Sequence, residues 1–173
     1  MASAVLKFAK PLLLNNRPRL FSDLPYYENI LLLQGPVGPF FGRLGDFLTK
    51  KGSHVFKINF NYADFYFSKN LLNSFNYQGL NLEWKDYVTK FCKQRNIKAI
   101  FIFGDKRFYH QIAIQVAKEL GIKIYVLEEG YIRPNYFTLE QDGVNIESNL
   151  SQTHPDELSN VNLNYTEKNF HLF

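Results

Sequence analysis

The stretch from Ala99 to Pro134 leaves this chain little choice of fold. It reads AIFIFG, DKRFYH, QIAIQVAKELG, IKIYVLEEG and YIRP in succession. The apolar run Ala99–Phe103 has the length of a buried strand and stops at Gly104-Asp105. After a polar turn, Ile112, Val116 and Leu120 recur at helical spacing, with Ile114 and Ala117 widening the stripe. Gly121 stands where a helix C-cap glycine belongs. A second apolar run, Ile122–Leu127, ends in the adjacent acids Glu128 and Glu129 and then Gly130. Strand, helix, strand in this compass predicts a βαβ unit with a right-handed connection. Both polar clusters, 104–107 and 128–131, then lie just past the C-terminal ends of strands, the edge at which open α/β sheets bind ligands.

The rest of the chain can be placed around that unit. Residues 15–28 are polar and contain prolines, which reads as a lead-in. Asn29–Leu33 is a short apolar run stopped by Gln34-Gly35-Pro36 and predicts the first buried strand. Gly35, Gly38 and Gly42, with Pro36 and Pro39 between them, predict a bent loop with exposed backbone. From Phe40 to Leu48 the apolar residues recur at helical spacing, and Lys50-Lys51-Gly52 is a helix stop signal. His54–Phe60 alternates and predicts the second strand. Residues 61–82 are rich in aromatics and asparagine without a sustained period; a short helix is expected near Ser68–Phe75. Trp84, Tyr87, Val88, Phe91 and Cys92 predict a helix over Glu83–Arg95. Phe137–Glu140 and Val144–Ile146 predict a hairpin turning at Gln141-Asp142-Gly143. The expected architecture is α/β: a Rossmann-like, open, mostly parallel sheet with flanking helices over residues 29–147. A lead-in (1–28) precedes it, and a polar tail or inter-domain linker (148–173) follows.

A chain of 173 residues with 46% hydrophobic and 21% charged residues has room for one such core. A net charge of +4 suits an anionic substrate or membrane surface and falls well short of a nucleic-acid-binding patch. The single cysteine, Cys92, excludes an internal disulfide and fits a reducing cytoplasm. The four histidines lack metal-ligand spacing, so no metal is expected. No apolar run is long enough to cross a membrane. The first fourteen residues, with lysines among apolar groups and a break at Pro11, read as a surface-lying lead-in or a weakly membrane-contacting helix. Aromatics make up 17% of the chain; a Phe-rich core accounts for them, and so does the lining of a sugar or base site.

Three clusters carry candidate chemistry. The loop Gln34 to Gly42 follows a strand and opens a helix, where glycines admit a ligand to the backbone and the helix N-terminus favours an anion. Its spacing is neither the dinucleotide fingerprint nor a Walker loop, and a plain strand-to-helix turn also fits. Glu128 and Glu129, adjacent at the end of a buried strand, repel one another and lose solvent, which raises one pKa and suits a general acid or base. Capping of the next turn, or pairing with Arg133 or Arg107, fits equally. Asp105, Arg107 and His110 flank the neighbouring strand end. Arg107 suits a bidentate hold on a phosphate or sugar carboxylate, and His110 packs or bonds locally. His154-Pro155, in the polar tail, is incidental.

The blocks LLLQGPVGPFFGRLGDFLTKKGSHVFKINFN and FGDKRFYHQIAIQVAKELGIKIYVLEEGYIRPNYFTLEQDGVN resemble the capsule polysaccharide biosynthesis and export proteins of the KpsS/LipB kind, over about residues 29 to 150. The resemblance implies the N-terminal, acceptor-side half of a GT-B-like β-Kdo transferase. Such enzymes move Kdo from CMP-Kdo to a lysophosphatidylglycerol-type lipid or a Kdo linker, in the cytoplasm and peripherally at the inner membrane, without a metal or other cofactor. It also implies that a C-terminal half, carrying a His-Pro motif that contacts CMP, completes the enzyme; His154-Pro155 falls too early to be that motif. By this likeness Glu129 is the catalytic acid/base, Glu128 supports it and Asp105 shapes the site. Gln34, Gly35, Pro36, Gly38, Asn59, Arg107, Gly130 and Arg133 form the substrate-binding set. The implied partners are the CMP-sugar donor, a lipid or glycan acceptor and other capsule assembly proteins, with no nucleic acid. A non-catalytic binding or assembly module of a capsule export complex is the alternative.

Overall fold

The computed structural model describes residues 24–36, 38–129 and 137–141. In chain order its elements are β1 (Asn29–Leu33), α1 (Phe40–Lys50), β2 (His54–Asn59), α2 (Tyr62–Phe67), β3 (Asn73–Asn76), α3 (Trp84–Gln94), β4 (Ala99–Phe103), α4 (Phe108–Leu120), β5 (Lys123–Glu129) and β6 (Phe137–Gln141). They build one six-stranded sheet of order β3-β2-β1-β4-β5-β6. The first five strands run parallel, and β6 lies antiparallel to β5. This is the Rossmann-like α/β architecture that the βαβ pattern predicts.

Both faces of the sheet are covered, which is why β1 reads as an unbroken apolar run. Leu31 and Leu33 of β1, with Ile100 and Ile102 of β4, pack on one face against Val88, Phe91 and Cys92 of α3 and Ala113, Val116 and Ala117 of α4. Ile30 and Leu32, with Phe101 and Phe103, pack on the other against Phe41, Leu44 and Leu48 of α1. Trp84 opens α3 fully buried, and its indole N–H donates to the Tyr109 carbonyl at 2.9 Å, which ties α3 to the start of α4. Gly121 is in the left-handed conformation expected of a C-cap, at φ +68°.

The sequence reading departs from the structure between residues 61 and 82. The helix expected near 68–75 lies earlier, as α2, and 73–76 is the edge strand β3. Local polar chemistry decides both. Asn61 caps α2 by accepting from the Asp64 amide at 2.9 Å, and six residues are too few to show a helical period. β3 has low strand propensity. It is held because Phe75 packs on the α3 face and the Asn59 side chain donates to Ser74 and Asn76.

Smaller corrections follow the same logic. β2 ends at Asn59, one residue early. β5 starts at Lys123 and carries Glu128 and Glu129 within the strand. Residues 137–141 do form a strand, but its antiparallel partner is β5; the expected return arm, Val144–Ile146, lies outside the described residues, as do residues 1–23 and 148–173. Gly42 is inside α1 and belongs to a packing contact. A Cβ there would come within 2.7 Å of the Phe67 carbonyl, and one at Gly45 within 2.6 Å of Leu71, so the pair lets α2 and the turn after it sit directly on α1.

Candidate active site

The connections leaving β1 and β4 go to opposite faces of the sheet, α1 on one and α4 on the other. Since β1 and β4 are neighbours, the strand order reverses between them, and their C-terminal ends flank the crevice in which such folds bind ligands. Gln34–Pro36 leaves β1 on one side of it and Gly104-Asp105 leaves β4 on the other. β5 adjoins β4 with Leu127 paired to Phe103, so Glu129 stands two residues past Leu127 and Asp105 two past Phe103. The fold therefore brings Gln34, Gly35, Pro36, Gly38, Asp105, Arg107, Glu128 and Glu129 to one edge.

The two glutamates lie on opposite faces of β5. Consecutive strand residues project to opposite faces, and here Glu128 is half-buried on the α4 side while Glu129 is exposed on the α1 side. Asp105 is buried, 6% exposed, at the mouth of the crevice, with the Lys106 ammonium 3.9 Å from its carboxylate. Arg107 is exposed at the N-cap position of α4. Gly130 and Arg133 lie outside the described residues.

The glycine loop is built from behind. The Gly35 amide donates to Asp64 Oδ1 at 3.3 Å, and a Cβ on Gly35 would strike the Phe41 ring at 2.9 Å. Gly35 thus has its amide committed inside the protein, whereas Gly38, at φ +115° with open space beside it, is the glycine that faces outward. Asp64 in turn forms a buried ion pair with Lys57 at 2.8 Å and accepts from the Phe60 amide at 3.3 Å. Burial pulls Lys57 down to about 8 even though Asp64 pulls the other way, so at neutral pH the ammonium is charged and paired.

Asn59 is spent in the same network. It is 1% exposed; its NH2 donates to Ser74 Oγ and Asn76 Oδ1, and its oxygen accepts from Lys57 and Ser68. That exhausts an amide's capacity, so Asn59 supports the site's framework and has no hydrogen bond left for a substrate. The sequence reading missed Lys57 and Asp64. The available signal was a lysine and an asparagine alternating with Val55 on one face of an otherwise apolar strand, a pattern that reads as solvent-facing until α2 is known to cover it.

His110 is fully buried in the first turn of α4, and its Nδ1 lies 2.6 Å from the Gly104 carbonyl. A carbonyl only accepts, so Nδ1 carries the proton and the neutral ring exposes a lone pair at Nε2, which has no hydrogen-bond partner among the described residues. The bond pins Gly104, at φ +73°, and with it the turn that presents Asp105. Burial lowers the His110 pKa to about 4, and the Arg107 and Lys57 charges push the same way. Because the unfolded ring binds a proton near 6.5 and the folded ring only near 4, stability should fall as pH drops through that window. The loss is on the order of 3 kcal/mol from this one group. Urea denaturation at pH 7 and pH 4.5 measures it, and His110→Gln should flatten the difference.

Among the described residues no three His, Cys, Asp or Glu side chains group as metal ligands, and no helix is long and apolar enough to cross a membrane. Cys92 is buried with its thiol pushed up to about 12, which removes it as a nucleophile.

Residues 98–165 match the family model described as capsule polysaccharide biosynthesis protein. Over 128 residues the chain is 47% identical to the capsule polysaccharide modification protein LipB of Neisseria meningitidis serogroup A, a match covering 71% of this chain and 30% of that protein. It is 36% identical over 123 residues to the capsule polysaccharide export protein KpsS of Escherichia coli, covering 71% of this chain and 31% of that one. The chain thus aligns with less than a third of the length of these relatives. Among solved structures, Acinetobacter baumannii MurG superposes with a TM-score of 0.47 at 18% identity, over 61% of this chain and 36% of MurG. A SAM-dependent methyltransferase from Anabaena variabilis gives 0.42 at 12% identity, over 60% and 44%.

Proposed function

Because this chain belongs to the capsule polysaccharide biosynthesis and export family, we propose that it is the acceptor-side part of a glycosyltransferase that builds the lipid-linked base of a capsule. The reaction is transfer of Kdo from CMP-Kdo to a lysophosphatidylglycerol-type lipid or a Kdo linker. The acceptor hydroxyl oxygen attacks the anomeric carbon of Kdo, the bond from that carbon to the CMP phosphate oxygen breaks, and the hydroxyl proton passes to the Glu129 carboxylate. The observation that carries this reading is the exposed Glu129 carboxylate on the same sheet edge as Asp105 and the glycine loop, beside the point where strand order reverses. Arg107 and Gly38 border that crevice and suit an anionic donor or lipid headgroup. The donor nucleotide is held by the part of the family's length that this chain does not span, and the enzyme works from the cytoplasm at the inner membrane surface.

The test is transfer from CMP-Kdo, generated in situ, to a fluorescent lysophosphatidylglycerol, read by mass spectrometry. The chain is assayed alone and with the remaining length of a family member co-expressed. A product one Kdo heavier only in the mixture is the expected result. Product from the chain alone would relocate the donor site, and no product from folded components would favour a binding or assembly module.

A further inference from the structure

Away from the crevice, past the C-terminal ends of β2 and β3, the described residues enclose a second concavity of about 230 Å³. β1 and β4 stand between it and β5, so it lies about 15 Å from the Glu129 end of the sheet. The glycine loop and the acids do not line it.

Its construction is specific. One wall is aromatic and immobilised: Phe60 stacks on Tyr109 at 4.3 Å with the rings nearly parallel, and Tyr77 sits edge-on to Trp84 at 4.8 Å. The Tyr77 hydroxyl is tied to the Leu80 carbonyl at 2.6 Å. α2 contributes Tyr62, 78% exposed, and Phe65, 40% exposed, to the lining. The lining also carries amides. Asn76 has its oxygen held by Asn59 at 3.0 Å, which turns its NH2 outward, and Gln78 stands at the rim. Neither the Asn76 NH2 nor the Gln78 amide has a hydrogen-bond partner among the described residues. No side chain lining the cleft is ionised at neutral pH.

Aromatic rings and amide donors and acceptors lining one small cleft match a ring that is apolar on its C–H faces and hydroxylated at its edge. The absence of charge in the lining selects against phosphates and carboxylates, which would lose hydration without a counter-ion. The volume suits one six-membered ring. We propose that this cleft binds a neutral sugar unit of a glycan, packed against the exposed Tyr62 ring and hydrogen-bonded by Asn76 and Gln78. The choice of a glycan as the source of the sugar rests on the capsule reading above; the chemistry of the cleft does not. It adds to that reading a grip on a neutral ring at a distance from the reacting end.

Saturation-transfer NMR on the full chain tests this without requiring transfer. The probes are methyl β-glucoside, methyl β-galactoside and methyl N-acetylglucosaminide, with the methyl ketoside of Kdo and cytidine as competitors of other chemistry. Transfer to the C–H faces of at least one neutral glycoside at millimolar concentration is expected. Affinity should fall about fivefold in Tyr62→Ala, an exposed position whose loss leaves the core intact, and stay unchanged in Tyr26→Ala, an exposed aromatic that does not line the cleft. A Glu129→Gln chain, whatever its transfer activity, should bind these glycosides as the parent does, which separates failure of this proposal from failure of the transferase reading. No saturation of any neutral glycoside, an affinity unchanged by Tyr62→Ala, or stronger saturation of cytidine or the Kdo ketoside would each overturn it.

Discussion

Glu129→Gln is expected to lower Kdo transfer by about 100-fold or more, with the fold unchanged because the side chain is exposed at the end of β5. Glutamine keeps the size and the hydrogen-bonding oxygen of the acid and removes its ability to accept a proton, so the loss should appear in kcat, with KM for the acceptor nearly constant. Glu128→Gln is the informative partner. Its side chain leaves the opposite face of the strand, so its effect on the rate should be several-fold at most if it only supports its neighbour. The pair is measured with CMP-Kdo and the lipid acceptor in the assembled enzyme. An undiminished rate in Glu129→Gln would leave this chain a binding role alone.

A second large effect is expected in stability. Asp64→Ala strands the Lys57 ammonium, whose side chain is fully buried, and releases the Gly35 and Phe60 amides from their acceptor. Removing one member of a buried pair costs about 3–5 kcal/mol, readable as a drop in urea midpoint. The pH dependence identifies the cause. Lys57 already holds its proton less tightly folded, near 8, than unfolded, near 10.5, so the unfolded state binds more protons between those values and stability from this group rises with pH there. Without Asp64, which pulls the value up, the folded pKa falls further and the window widens. The variant should therefore regain stability on alkalinisation more steeply than the parent. Asp64→Asn, which keeps an acceptor oxygen for one amide, should lose less.

These two residues also mark where the sequence stopped being readable. The strands β1 and β4 and the helices α1, α3 and α4 announce themselves, because each buries a long apolar stripe or run whose period belongs to one kind of element. The edge of the crevice follows from topology once those are placed, which is why Gln34, Asp105 and Glu129 converge as expected. Lys57, Asn59 and Asp64 were opaque for the opposite reason. Their role depends on α2 covering one face of β2, and α2 is a six-residue helix set by one asparagine cap. β3 is likewise held by side-chain amides, a signal that hydrophobic periodicity does not carry. The glutamate pair shows a difference of boundary: a strand extended by two residues sets neighbours in sequence on opposite faces.

The neighbour relation between β1 and β4 has a consequence in time as well as in space. Among the described strands β1 is made first, and β2 and β3 can join one of its sides as soon as they emerge. Its other side must wait, because Ile30 pairs with Ala99, and such non-local contacts are the slow ones to close. Until then a largely apolar strand has a bare flank, the kind of edge that recruits other chains. The crevice comes into being at the same moment that flank is sealed. A chain that has not finished this closure has no crevice, so assembly of that edge and escape from aggregation are one event.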